Sequence, residues 1–266
     1  MSGFSISWLD LREAADQRAR DNTLSEKAIA ALTDLEGPQA PGLAVDLGAG
    51  TGATLRALQQ LGVKDVVWRL VDHDGALLDE ALRRHRKECI IEDHQCDLQV
   101  VYELPLAGAR LVTASALFDL CSQEFIDALC ARIGEQKSGV YAALNYDGTT
   151  VWHPTHPLDA QVLTAFNQDQ LRDKGLGMAL GPQASQALQA ALQSYDYSVE
   201  TASSPWQLGP EDEAMVKEFI QGITAAVANT VDAEALEQWR NFRLENASSG
   251  KCIVGHTDLL ALPKTS

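Results

Sequence analysis

Apolar positions recur with three different rhythms along this chain. Over residues 7–35 the spacing is helical: Trp8, Leu9, Leu11, Ala14 and Ala15 mark one face, and Leu24, Ala28, Ala31, Leu32 and Leu35 mark a second. Ser25 is placed to cap the second piece. Gly37-Pro38-Gln39-Ala40-Pro41-Gly42 then punctuates the chain. Beyond it the rhythm becomes one of short apolar runs, predicting strands over 43–47, 66–71, 90–95, 110–114 and 139–145. Helical patterns over 54–61, 77–87 and 123–133 separate them. Such alternation implies βαβ units and a parallel sheet, an α/β fold. After residue 146 the pattern loosens. Residues 146–180 hold few strand formers and mix Pro, His and Gly with a helical stretch over 159–172, which reads as an inserted cap. Helices over 181–194, 210–228 and 233–246 follow. Strands over 197–201 and 252–262 form a late hairpin-like pair that closes one edge of the sheet. No internal repeat or low-complexity stretch interrupts this order.

Composition narrows the functional classes. A hydrophobic share of 45% with 22% charged residues fits one folded domain over residues 1–266 and excludes a disordered chain. Lys and Arg number 21 against 37 Asp and Glu, a net charge of −16 that repels a phosphate backbone. Nucleic acid is therefore not the expected partner, and the charge serves solubility. Five Cys, an odd number without a C-x-x-C pair, argue against a disulfide framework and a Cys-rich zinc site, and fit a reducing, cytoplasmic setting. The six His form no H-E-x-x-H, and no metal is expected. No basic-then-apolar leader opens the chain, and no apolar run reaches the roughly 18 residues that span a bilayer, so no membrane is expected. A homodimer is compatible with the sequence, which specifies nothing about it.

The strongest chemical signal is Val45-Asp46-Leu47-Gly48-Ala49-Gly50-Thr51-Gly52, an apolar strand running into glycines and then a helix. Glycine permits unusual backbone angles and close approach of a ligand, and the helix start offers unpaired N–H groups. The spacing is G-x-G-x-G, not the G-x-G-x-x-G of a dinucleotide site, and no G-K-[ST] of a phosphate loop is present. Twenty residues past Gly52, at the end of the second strand, stands Asp72. A carboxylate there can accept both hydroxyls of a ribose. Asp72 or Asp74 can equally cap the helix that follows.

With D-L-G-A-G-T-G followed by V-D-H-D, the sequence resembles the class I S-adenosylmethionine-dependent methyltransferases, in particular uncharacterised bacterial members acting on small molecules. The motifs cover residues about 40–145, and the strand order extends the likeness along the chain. The resemblance implies a Rossmann-like, seven-stranded, mostly parallel sheet with helices on both faces. It adds an N-terminal helical lid over 1–36, a cofactor core over 43–145, a cap over 146–180 and the rest of the sheet over 181–266. It implies S-adenosylmethionine as cofactor. Asp46 then contacts the methionine amino group, and Gly48, Ala49, Gly50 and Gly52 underlie the methionine and ribose. Asp72 takes the ribose, His73 lies beside the adenine, and Asp97 with Leu98 contacts the adenine. Ser115 and Ala116 face the methionine part. Family members fold an N-terminal segment over the cofactor, so Arg12, more than Arg18, can pair with the methionine carboxylate.

Methyl transfer needs an aligned nucleophile, and a hydroxyl also needs a base. Asp119, just past the fourth strand, is one candidate, although it can also cap the helix starting at 123. His153 and His156, in Trp152-His153-Pro154-Thr155-His156-Pro157, are two more; they also suit loop packing, or a metal shared with Asp147 and Asp159. Asn145 and Tyr146 follow the fifth strand and are candidate substrate contacts, with Asp147-Gly148 also a turn pair. Phe166, Asn167 and Gln170 share a helical face and could orient a substrate. Trp206 and Trp239 read as packing, and Cys121 as a core residue. These bases favour O-methylation of a small molecule. The alternative is a non-catalytic cofactor-binding partner or regulator of the same fold.

Overall fold

The computed structural model describes residues 4–33 and 41–264. Leu35 and most of the Gly37–Gly42 punctuation fall outside them. The chain opens with α1, Ile6–Ala19, whose first turn is capped by Ser5 Oγ accepting from Trp8 N–H, and α2, Asn22–Thr33. The break between them is made by Asp21, whose Oδ1 accepts from Leu24 N–H at 2.8 Å. Ser25, expected as the cap, is buried inside α2 instead. Its Oγ donates to the Asp21 carbonyl and meets Tyr141 Oη at 2.9 Å. The carboxylate three residues before Leu24 has the reach of an N-cap.

Alternation then runs β1 (Gly42–Leu47), α3 (Ala53–Gln60), β2 (Val66–Asp72), α4 (Gly75–His85), β3 (Ile90–Gln95), β4 (Leu111–Ser115), α5 (Gln123–Gln136) and β5 (Gly139–His153). It continues with α6 (Asp159–Gln170), α7 (Ala184–Ser194), β6 (Tyr197–Ser203), β7 (Trp206–Leu208), α8 (Glu213–Val227), α9 (Ala233–Glu245) and β8 (Lys251–Pro263). Strand order is β3-β2-β1-β4-β5-β8-β6, with β7 also on β8. The first five strands are parallel, and β6, β7 and β8 join antiparallel. Strand order reverses between β1 and β4, the crevice where open α/β sheets receive ligands.

Two elements differ from the sequence reading. Eight strands are present among the described residues rather than seven. Pro205 cannot donate to a ladder, so it splits one long partner of β8 into β6 and the short β7. Strand β5 also continues past 145 to His153, so the stretch 146–153 is sheet and not cap. Gly148, at φ +90°, takes up a register shift between Tyr146 and Thr150, and the ladder to β8 resumes at Thr150. The Asp147-Gly148 pair therefore makes a bulge within a strand.

Three apolar clusters hold these layers. One packs α5 and α7 on the sheet through Val45, Val112, Ile126, Leu129 and Leu188. A second packs α2, α3 and α4 on the other face around Leu32, Leu58, Trp68 and Leu78. The third is aromatic, built from Trp152, Trp206 and Trp239 with Phe219, and unites α1, α6, α8 and α9. Helix α1 thus rests on β7 and α8 at one side. At the other it crosses the loop after β1.

Candidate functional site

The loop after β1 bends sharply because Gly48, Gly50 and Gly52 all adopt positive φ. At Gly50 the requirement is doubled: φ is +54°, and a Cβ would stand 3.2 Å from Leu9 Cδ1 of α1. The loop is pinned from the neighbouring strand. Gly50 N–H donates to Asp72 Oδ2 at 2.8 Å, and Ala49 N–H donates to the Val71 carbonyl. Asp72 Oδ1 accepts from Asp74 N–H at 3.0 Å and lies 3.1 Å from His73 Nδ1. The cap of α4 is Asp74, accepting from Ala76 N–H. Asp72 is therefore free of capping and braces the glycine loop, with carboxylate lone pairs left for a ligand.

Above this loop lies a cavity of about 540 Å³, within the range of small-molecule and cofactor sites. Gly48, Ala49, Gly50, Asp72, His73, Leu98 and Ser115 border it, as does Gln170. Arg12 and Asp16 supply the α1 side. Gly52 does not line it; it starts α3 at φ +85°. Asp97 is exposed and turns the chain by accepting from Gln99 N–H, while its neighbour Leu98 is buried in the wall. Arg12 Nε donates to Asp16 Oδ2 at 2.8 Å, and Trp206 Nε1 donates to Asp16 Oδ1.

Ser115 stands over a group of buried polar atoms; the sequence reading named Ser115 and Asp46 but not Arg20. Arg20 is buried, and its Nη2 donates to Ser115 Oγ at 2.8 Å, leaving Nε and Nη1 without a partner. Asp46 accepts from Thr113 Oγ1 through Oδ1, and its Oδ2 has no partner. Burial pushes Asp46 up to about 6, against the pull of Thr113 and the Arg20 charge. Unsatisfied buried polar atoms are rare and want a ligand or water; here Ser115 borders the cavity, and Arg20 and Asp46 lie behind its wall. An ammonium and a carboxylate, the two ends of an α-amino acid, complement them. The signal for Arg20 was its place at the end of the same helix as Arg12.

The candidate acceptor residues fall in two groups. Asp119 is buried in the short turn Phe118–Leu120; its chain neighbours Leu117 and Leu120 line the cavity, but Asp119 itself does not. It is not the cap of α5, because Ser122 Oγ takes Phe125 N–H. Its Oδ1 has no partner, and burial pushes its carboxyl up to about 6, opposed by the field of Arg12. His153 and His156 stand outside the cavity wall. His153 is exposed at the end of β5, and His156 lies in the turn before α6, its N–H on Asp159 Oδ2 and its ring beside Phe242. Asn145 is buried against β8 through Nδ2 and the Thr257 carbonyl. Tyr146 Oη donates to Asn167 Oδ1, and Asn167 Nδ2 donates to the Gly148 carbonyl, so Asn167 and Phe166 fasten α6 to β5. Of that helical face, Gln170 alone reaches the cavity border. Arg18 pairs with Asp212 at the surface. Cys121 is fully buried, and its thiol is pushed well up by that burial. His256, unforeseen from sequence, is buried between Trp206 and Tyr146, and burial with the Arg12 charge lowers it to about 3. Among the described residues no cluster of three His, Cys, Asp or Glu could hold a metal ion, and no helix is long and apolar enough to cross a membrane.

By sequence, no family model and no curated protein matches the chain. By structure it resembles a cyclopropane synthase from Mycobacterium tuberculosis, with a TM-score of 0.53 and 12% identity over 97% of this chain and 94% of the other. The fold is that of the class I methyltransferases. A Bacillus halodurans protein assigned as a methyltransferase gives 0.52 at 12% identity, over 89% of this chain and 99% of its own. At such identities the class I methyltransferase likeness is one of fold, and the chemistry must be argued from the residues in hand.

Proposed function

We propose that this class I fold binds S-adenosylmethionine in the cavity at the ends of β1, β2 and β4 and transfers its methyl group to a hydroxyl of a small molecule. One observation carries the cofactor reading: a glycine loop braced by Asp72 borders the cavity together with Ser115, and behind that wall Arg20 holds Ser115 Oγ while Arg20 and Asp46 keep polar atoms without a partner. Asp46 and Arg20 would hold the amino and carboxylate ends of the methionine part, with Arg12 a second cation at the cavity wall. Asp72 would take the ribose hydroxyls, and His73 and Leu98 would border the base. When bound, the sulfonium supplies an electrophilic methyl carbon, so the chain must mainly align the acceptor and exclude water. Helix α1 closes one side of the cavity for that purpose. Of the three bases that suggested oxygen as the acceptor atom, only Asp119 belongs to a turn that borders the cavity, through Leu117 and Leu120, although its own side chain does not line it. Its raised carboxyl is matched to taking a proton near neutral pH. A volume of about 540 Å³ suits a cofactor with a small acceptor rather than a polymer.

Calorimetric titration with S-adenosylmethionine, with NAD as control, tests the cofactor reading. Micromolar binding of the first and none of the second is expected. Absence of S-adenosylmethionine binding overturns it. Transfer of a labelled methyl group to a panel of small alcohols, phenols and amines then tests the acceptor atom; labelling of amines alone would refute oxygen.

A further inference from the structure

Arg56, on α3, lies outside the cavity wall, yet every donor of its guanidinium is engaged. Nε and Nη2 grip the carboxylate of Glu13 on α1 as a two-pronged pair, the Nη2 bond being 2.8 Å. Nη1 donates to the Thr51 carbonyl at 2.5 Å, and Nη2 reaches Thr51 Oγ1 at 3.3 Å. Nη1 also lies 3.0 Å from His85 Nε2 of α4. Burial and the Arg56 charge lower His85, which therefore accepts this contact as a neutral ring. One planar fork thus joins the lid helix, the glycine loop and α4, a geometry that lysine cannot reproduce.

We propose that Arg56 is a positioning residue for the cofactor site, locking α1 to the glycine loop so that lid closure and loop shape change together. This rests on the cofactor reading above. Three observations favour it. Thr51, the residue Arg56 holds, borders the cavity and is 1% exposed. Glu13 stands one helical position past Arg12, which lines the same cavity. Leu9, one turn earlier, lies over Gly50. A ligand leaving past α1 must part the Glu13–Arg56 pair, and parting it removes the brace on the Thr51 carbonyl. The second pair between α1 and the cofactor half, Asp10–Arg84 at 2.6 Å, touches no loop residue and provides an internal control.

The test is stopped-flow dissociation of S-adenosylmethionine from the wild type and from Glu13→Gln, Arg56→Lys, their double variant and Asp10→Asn. Thermal midpoints and amide exchange over residues 6–19 are measured alongside. Expected are about tenfold faster dissociation for each of the first two and clear non-additivity in the double variant. Exchange over α1 should rise, with midpoints nearly unchanged. Asp10→Asn should change dissociation less than about twofold. Additive effects, unchanged dissociation, or an equal effect from Asp10→Asn would overturn the coupling. A wild type that fails to bind the cofactor removes the functional reading itself, and the coupling with it. A fall in midpoint with unchanged dissociation assigns Arg56 to stability alone and also refutes the proposal.

Discussion

Replacing Asp72 by asparagine separates ligand recognition from scaffolding at a single position. The carboxylate uses one oxygen for Gly50 N–H at 2.8 Å and the other for Asp74 N–H at 3.0 Å. An amide of the same shape keeps one acceptor and turns an NH2 toward the second donor. Leaving a buried donor unmet costs about 1–3 kcal/mol, and for a chain of this size each kcal/mol lowers the thermal midpoint by about 2–4 °C. The effect on ligand is distinct. A ribose diol meeting a carboxylate makes two charge-assisted bonds, and asparagine keeps one of them. Losing about 1.5–3 kcal/mol raises Kd for S-adenosylmethionine roughly 10- to 150-fold. Asp74→Ala is the matched control: it removes the bond to Ala76 N–H at the start of α4, which costs about 1 kcal/mol of stability, and leaves Kd unchanged. Calorimetric titration and thermal unfolding of both variants decide the matter. If Asp72→Asn binds within twofold of the wild type, or if Asp74→Ala weakens binding as much, the ribose role of Asp72 is refuted.

Other outcomes follow from the same geometry. Gly42→Ala would set a Cβ 2.2 Å from the Leu32 backbone oxygen, so α2 must move from β1; denaturant unfolding should show a loss of about 1–3 kcal/mol. Asp119 binds its proton more tightly folded, at about 6, than unfolded, at about 3.9, so the folded state holds more protons between these values and stability falls as pH rises through that window. Asp119→Asn should therefore unfold at higher denaturant above pH 6, by up to roughly 3 kcal/mol, and match the wild type below pH 4. If Asp119 is the base, kcat/KM in the wild type rises with pH through about 6, and the variant loses that limb. His153→Ala, at the exposed end of β5, should leave methyl transfer within twofold of the wild type; a loss of tenfold or more would return it to the site.

The parts legible in the sequence share a physical cause. Where β1 meets Gly48 and β2 ends at Asp72, the change from apolar run to glycine or acid is local, and the parallel sheet fixes how those ends meet. Arg20 was missed because its importance lies in its contact with Ser115, which is remote in sequence. His153 and His156 looked reactive beside Pro154 and Pro157, but adjacency in the chain says nothing about distance from a cavity. Asp147-Gly148 reads as a turn because turn chemistry and bulge chemistry use the same residues; only the partner β8, continuing past it, distinguishes them. The short β7 was hidden for the opposite reason. Pro205 silences the period of a strand that the sheet nonetheless completes.

Strand β8 pairs with β5, β6 and β7, and about a hundred residues separate it from β5. During synthesis at about 5–20 residues per second, the growing chain therefore carries β5 with an unpaired edge for roughly 5–20 seconds. That edge is apolar over Gly139–Tyr146 and would template pairing with another nascent copy. The aromatic cluster around Trp152 cannot close until Cys252 and Val254 emerge. Slowing translation between β5 and β8 lengthens that interval and should lower the yield of folded chain.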